Sequence, residues 1–147
     1  MRLLFLLLFL NIAFNLPAQE LKLTGATSQR WYAGMAGGGN GVTYKITLET
    51  KDSTIIPDTV WIGSLIYANP NFIRTYNKVT NTSTYYFNNE TNYECLKNPG
   101  VYNKDTAKTA AQAKLYIGEA MIRFHYKKIR YSLIVKSFET LPPLYYP

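Results

Sequence analysis

The chain has 147 residues, with 16 Lys plus Arg, 9 Asp plus Glu, one His and one Cys, and its formal net charge is +7. This length suits one domain and leaves no room for a multidomain enzyme. The single His and the single Cys exclude a multi-ligand zinc site and an intramolecular disulfide, so we predict no metal and no cofactor. An apolar fraction of 47% and an aromatic fraction of 15% argue against intrinsic disorder.

The N-terminus has the three parts of an export signal. Arg2 supplies a positive charge, residues 3–10 are an unbroken apolar run, and Pro17 and Ala18 precede a predicted cleavage site. The apolar run is shorter than the ~20 residues of a transmembrane helix. We therefore predict a periplasmic or secreted product with no transmembrane segment and no nucleic-acid partner. The predicted layout is a signal peptide over 1–18, a domain over 19–141 and a C-terminal tail over 142–147.

Beyond the predicted signal peptide, apolar residues recur at every second position, which is the spacing of half-buried β-strands. The clearest alternation runs from Val42 to Thr50, with Val42, Tyr44, Ile46 and Leu48 on one face. Further strands are predicted over 21–27, 29–34, 59–67 and 82–87. The predicted strand over 59–67 is either covered on both faces or interrupted at Gly63.

The C-terminal third contains the best predicted hairpin. Its arms cover 118–126 and 129–138, and one face of each arm is almost wholly apolar. Lys127 and Lys128 join the arms without the Asn-Gly chemistry of an ideal two-residue turn, so a longer turn is the alternative.

The strand count predicts the fold class. About seven to nine short strands, separated by Gly, Pro and Asn, are typical of an all-β domain. We predict a single antiparallel β-sandwich of the immunoglobulin-like kind, with a closed barrel as the alternative. The Ala-rich residues 106–114 are compatible with one short helix.

Residues 34–41 contain five glycines in eight positions. Such a loop can expose backbone N–H groups to an anion, but the Gly-Lys-Ser or Gly-Lys-Thr ending of a phosphate loop is missing, and a strand follows where a helix is required. A connection between two strands is the simpler interpretation. The remaining hypothesis is a ligand-binding rim, whose candidate residues are Trp31, Tyr32, Gly37, Gly38, Gly39 and Asn40.

Basic residues cluster in the predicted hairpin, where no acid occurs between Glu119 and Glu139. The candidates for contact with an anionic glycan or membrane surface are Arg123, Lys127, Lys128, Arg130 and Lys136. The alternation places Arg123, Arg130 and Lys136 on the polar face of the hairpin. A solvated face that protects a sheet edge is the competing and commoner interpretation.

Cys95 and His125 are the candidates for a nucleophile and its base, with Asn98 as the residue that orients the base. No motif of a known cysteine hydrolase surrounds Cys95. The carboxylates lie mostly in turns, and no pair is distinguished by spacing. We predict a protein without catalytic residues; the alternative is a secreted hydrolase that uses Cys95 with His125 or an unrecognised carboxylate pair.

All three Asp residues precede a hydroxyl residue, in Asp52-Ser53-Thr54, Asp58-Thr59-Val60 and Asp105-Thr106-Ala107. The pattern resembles the short O-glycosylation signal of exported proteins in some Gram-negative bacteria. That resemblance implies Ser53, Thr59 and Thr106 as acceptors. The same sequences also form ordinary turns and caps.

The export signal, the stretch 29–41 and the hairpin 118–138 together resemble the layout of small, uncharacterised exported β-rich proteins of Gram-negative bacteria. The resemblance covers most of the mature chain and brings no motif of known activity, so it implies no site residues. We therefore predict an exported binding or structural accessory module of the cell envelope. The expected partner is an envelope protein or a glycan.

Overall fold

The computed structural model describes residues 20–34, 39–92 and 116–147, and these residues form nine strands and no helix. The strands are β1 (Lys22–Ala33), β2 (Asn40–Thr50), β3 (Ile56–Ile62), β4 (Leu65–Ala68), β5 (Ile73–Asn77), β6 (Thr82–Asn92), β7 (Ala120–Tyr126), β8 (Ile129–Val135) and β9 (Glu139–Tyr146). The predicted signal peptide over 1–18 and the predicted helix over 106–114 lie outside the described residues.

The strands form two sheets. The five-stranded sheet has the order β5-β6-β2-β1-β9, and the four-stranded sheet has the order β4-β3-β7-β8. All neighbours are antiparallel except β1 and β9, which run parallel. The prediction of an all-β fold is confirmed, and the two mostly antiparallel sheets are consistent with a β-sandwich.

The alternating side chains of both sheets build one hydrophobic core. In β7, every second residue from Ala120 to Tyr126 is buried, as the sequence predicts. In β2, Ile46 and Leu48 are buried on the predicted face. Burial of such a side chain contributes about 1.5–3 kcal/mol, so the alternation accounts for much of the stability. The largest fully buried side chains are Phe124, Leu21, Ile46, Leu48, Ile55, Ile122, Val60 and Val135.

Two buried tyrosine hydroxyls connect elements of the two sheets. The Tyr67 hydroxyl in β4 lies 2.9 Å from Thr91 Oγ1 in β6. The Tyr85 hydroxyl in β6 donates to the Ile55 carbonyl at 2.7 Å, just before β3 begins. Because a buried polar group without a partner costs about 1–3 kcal/mol, these bonds fix how the sheets face each other.

Both short turns of the four-stranded sheet use left-handed backbone. Lys127 and Lys128 have φ values of 50° and 68°, and Tyr126 pairs with Ile129, so the hairpin has the two-residue turn that the sequence suggests. Gly63, with a φ of 59°, ends β3, and the predicted strand 59–67 is therefore interrupted there. A φ of this sign suits glycine because glycine has no Cβ.

The prediction of a C-terminal tail over 142–147 is wrong, because residues up to Tyr146 continue β9 along β1. Pro142 and Pro143 lack backbone N–H groups, and they are tolerated because β9 is an edge strand with a register shift at this point. The Gln29 side-chain amide donates to the Pro142 carbonyl at 2.8 Å. The predicted pair of strands over 21–34 is likewise one strand, β1, with two register shifts.

Candidate functional site

The four-stranded sheet has a face directed away from the core, which we call the outer face. The buried Val60, Ile122 and Phe124 alternate along their strands with residues of this face. Its residues form three cross-strand rows: Ile66, Trp61, Met121 and Ile134; Ala68, Thr59, Arg123 and Ser132; and Ile56, His125 and Arg130. The rows bring together residues from β3, β4, β7 and β8 that are far apart in the sequence.

Arg123 lies over the indole of Trp61 at the centre of the outer face. Its guanidinium carbon is 4.4 Å from the ring centroid, which is the geometry of a cation–π contact. Both side chains are partly buried, and Met121 continues the apolar row beside Trp61. The contact fixes a flat cationic and aromatic surface, which can stack on or bind a partner group.

A second contact on the outer face holds His125. Its Nδ1 lies 2.7 Å from Asp58 Oδ2, and the His125 side chain is 45% exposed. Asp58 lies in the register shift between Pro57 and Thr59, and Thr59 Oγ1 donates to Asp58 Oδ1 at 2.8 Å. This is the arrangement of a base and the carboxylate that orients it, but it lies on an open sheet face, and Cys95 and Asn98 lie outside the described residues.

The five predicted basic residues do not form one continuous patch. Arg123 and Arg130 lie on the outer face, whereas Lys127 and Lys128 form the hairpin turn. Lys136 follows β8, and roughly 25 Å of extended chain separates it from Lys128. Two of the five predicted basic residues, Arg123 and Arg130, therefore lie on the outer face.

Lys127 is engaged at its own end of the sheet. Its ammonium nitrogen lies 4.7 Å from the ring centroid of Tyr126. A hydrogen bond with Tyr126 raises the pKa of Lys127, and the carboxylates of Glu20 and Asp52 act in the same direction. Lys127 therefore lies within the electrostatic influence of Glu20 and Asp52.

Trp31 and Tyr32, predicted as part of a ligand-binding rim, pack against β9. The ring of Tyr32 stacks on Tyr145 with 5.3 Å between centroids, and Trp31 lies edge-on to Tyr146 at 6.4 Å. A Cβ on Gly41 would come within 2.7 Å of the Trp31 indole, which explains the glycine. Trp31 Nε1 is buried and has no hydrogen-bond partner among the described residues. These contacts were missed because no local pattern places residues 144–146 beside β1.

The other predicted site residues are dispersed. Gly39 and Asn40 are exposed at the start of β2, and Gly37 and Gly38 lie outside the described residues. Among the predicted O-glycosylation acceptors, Ser53 is exposed in a turn, while Thr59 lies within β3 with its hydroxyl bound to Asp58. Thr106 also lies outside the described residues.

A groove that sequence reasoning missed lies at the end of the five-stranded sheet, where β2 ends and β6 begins. Its volume is about 560 Å³, and it is lined by Glu20, Lys51, Asp52, Ser53, Arg74, Tyr76 and Asn81. Neither His125 nor Trp61 lines it. No sequence signal joins the lining residues, because they come from three separate segments of the chain.

Comparisons with known proteins identify no relative: no family model matches the sequence, and no curated protein or solved structure is detectably similar to it. Among residues 20–34, 39–92 and 116–147, no helix is long and apolar enough to span a membrane. The same residues contain no group of three or more His, Cys, Asp or Glu side chains placed to hold a metal ion.

Proposed function

We propose that the protein is an exported, non-catalytic accessory module of the cell envelope that docks an acidic protein surface through its outer face. The observation that carries the proposal is Arg123 held over Trp61 in the middle of a partly exposed apolar row. Trp, Arg and Met are enriched in protein interfaces, and Trp and Arg are typical of their energetic centres. Export is supported by the N-terminal signal of the sequence.

The charges of the outer face favour an acidic partner. Arg123 and Arg130 are cationic, and the Asp58 carboxylate on this face is already in contact with His125. Complementary charge increases the association rate and selects the partner. An acidic rim around an apolar centre is the surface that fits.

The size of the outer face favours reversible docking. Three strands of seven residues and one of four, about 4.8 Å apart, present roughly 400 Å². A standard stable interface uses about 800 Å² from each partner. The module therefore suits an accessory role with moderate affinity.

The proposal also includes one prediction about the arrangement of the fold and one about catalysis. An immunoglobulin-like arrangement is supported by the two mostly antiparallel sheets, although the parallel β1–β9 pair is an addition to a purely antiparallel sandwich. The absence of catalysis is supported by the open setting of the Asp58–His125 pair on a sheet face, since active sites are usually concave pockets that hold the substrate.

The experiment compares retention of native envelope proteins by the purified protein and four variants. Trp61→Ala and Arg123→Glu alter the outer face. Tyr86→Ala and Lys45→Glu are matched controls, because both residues are exposed on the other side of the five-stranded sheet. We expect one acidic protein to be retained by the unaltered protein and both controls, and its affinity to fall about 30-fold or more with either outer-face variant.

Thermal unfolding of each variant shows whether the fold is intact. Equal retention by the unaltered protein and both outer-face variants would contradict docking at this face. Salt-sensitive binding to anionic vesicles or acidic polysaccharide, with no retained protein, would instead support the anionic-surface alternative.

A further inference from the structure

The groove at the end of the five-stranded sheet has the features of a built ligand site. One wall is the turn that follows β2, and the other is the hairpin of β5 and β6. A smaller groove of about 300 Å³ shares Glu20 and Lys51 with it, so the two form one continuous surface. This surface is separate from the outer face used for the proposed docking.

Arg74 projects from β5 into the groove in a fixed position. One of its terminal nitrogens donates to Ser83 Oγ at 2.9 Å, and its guanidinium carbon lies 5.5 Å from the ring centroid of Tyr85. Ser83 and Tyr85 are only 2% and 3% exposed, so the core holds the guanidinium from below. The remaining N–H groups of Arg74 form a charged fork whose geometry matches a carboxylate.

Tyr76 supplies a flat ring beside Arg74. The residue is 53% exposed, and its hydroxyl donates to Asn81 Oδ1 at 2.8 Å. The turn between β5 and β6 is itself fixed, because Asn77 Oδ1 accepts the backbone N–H of Val79 at 2.9 Å. The ring is therefore held in place before any ligand arrives, and its face can pack against the apolar C–H side of a sugar ring.

Asp52 supplies a fixed acceptor on the opposite wall. Its Oδ1 accepts the backbone N–H of Thr54 at 2.8 Å and the Thr54 hydroxyl at 2.6 Å. These hydrogen bonds lower the pKa of Asp52, so the carboxylate is ionised at neutral pH. Its second oxygen can accept hydrogen bonds from ligand hydroxyls.

The charges that line the groove favour a polar ligand with a single anionic group and disfavour a dense polyanion. Lys51 and Arg74 are cationic, whereas Glu20 and Asp52 are acidic. A polyanion would meet both acids, but a ligand with one carboxylate and several hydroxyls can pair each group with a suitable partner. Groups fixed in advance reduce the entropy lost on binding.

We propose that this groove binds a sugar that carries a carboxylate. The carboxylate pairs with the Arg74 fork, the sugar ring packs on Tyr76, and ring hydroxyls donate to Asp52. The ligand class includes the uronic acids and acidic amino sugars of cell-surface polysaccharides.

Isothermal titration calorimetry of the purified protein tests the proposal with three probes: tri-galacturonate, a glucuronate oligosaccharide and an N-acetylneuraminate oligosaccharide. We expect at least one of them to bind, and its methyl ester to bind about tenfold or more weakly, because esterification removes the charge that Arg74 recognises. Arg74→Met should weaken binding by about tenfold or more, and Tyr76→Ala by about three- to tenfold.

Three further variants keep the outcome interpretable. Arg74→Lys retains the charge but not the fork, so it should bind more weakly than the unaltered protein even if Arg74→Met does not fold. Tyr86→Ala and Lys45→Ala lie outside the groove and should bind as the unaltered protein does. Substitutions in the groove should not change the retention of an envelope protein by the outer face. A failure of sugar binding can therefore be distinguished from a failure of docking.

Three results would overturn the proposal that the groove binds an acidic sugar. Equal affinity for an acid and its methyl ester would exclude recognition of the carboxylate. Equal affinity for citrate and for the acidic sugar would reduce the groove to a simple anion site. Binding of none of the three acidic sugars at millimolar concentration would also overturn it.

Discussion

Lys128 is a residue whose backbone conformation conflicts with its side chain. It has a φ of 68° in the turn between β7 and β8, and an L-residue with a Cβ in this region costs about 1–2 kcal/mol. The flanking strands require left-handed backbone, because a two-residue turn of this kind matches their twist. Lys128→Gly should therefore raise the free energy of unfolding by about 1 kcal/mol, measured by urea denaturation.

Lys78→Gly is the matched control. Lys78 is also exposed in a turn of a hairpin, between β5 and β6, but its φ is not positive. Glycine there adds freedom to the unfolded chain without relieving strain, so the variant should be less stable than the unaltered protein. If both substitutions destabilise the protein equally, Lys128 is not strained.

At the scale of a single element, β9 shows how contacts from the rest of the chain convert a polar and proline-containing segment into a strand. Tyr145 stacks on Tyr32, and Tyr146 packs against Trp31. Removal of residues 144–147 should lower the free energy of unfolding by about 1–3 kcal/mol, since each aromatic pair contributes about 0.5–1.5 kcal/mol beyond its buried area. Chemical denaturation measures the loss.

Fluorescence provides an independent test of β9. The chain has two tryptophans, so Trp61→Phe leaves Trp31 as the single emitter. In that background the truncation should shift the Trp31 emission to longer wavelength, because Tyr146 no longer covers the indole. A tail without contacts would leave both the emission and the stability unchanged.

The difference between local patterns and contacts with distant parts of the chain explains which elements could be predicted from the sequence. Alternation in β2 and β7 is visible because every second residue is buried in one core. In contrast, β5 was not predicted, because all its residues are exposed and its position depends only on pairing with β6. The prolines of β9 argue against a strand locally, and only the parallel pairing with β1 overrides them.

The candidate sites depend on contacts that no local pattern contains. Alternation placed Arg123 on a polar face, but it did not predict Trp61 beneath its guanidinium, because β3 and β7 are far apart in the chain. The groove around Arg74 depends on the turn after β2 meeting the hairpin of β5 and β6. Sequence reasoning identified Arg123 but not its contact with Trp61, and it did not identify Arg74.

At the scale of the whole molecule, the two sheets differ in how their apolar residues are arranged toward solvent. The five-stranded sheet presents polar groups such as Lys45, with Ile73 and Tyr86 exposed as one cross-strand pair. The four-stranded sheet presents the apolar row with Trp61 and Met121. A partly exposed apolar row on one side of a small domain favours an interaction surface there. We therefore propose that a partner in the cell envelope covers the outer face.

Hydroxyl-radical footprinting in intact native cells, compared with the purified protein, shows whether the outer face is covered. Mass spectrometry would quantify oxidation at Trp61 and Met121, with the exposed Tyr86 on the other sheet as the internal reference. We expect Trp61 and Met121 to be oxidised several-fold less in cells, and Tyr86 to be oxidised equally in both samples. Equal oxidation of Trp61 and Met121 in cells and in the purified protein would contradict this proposal.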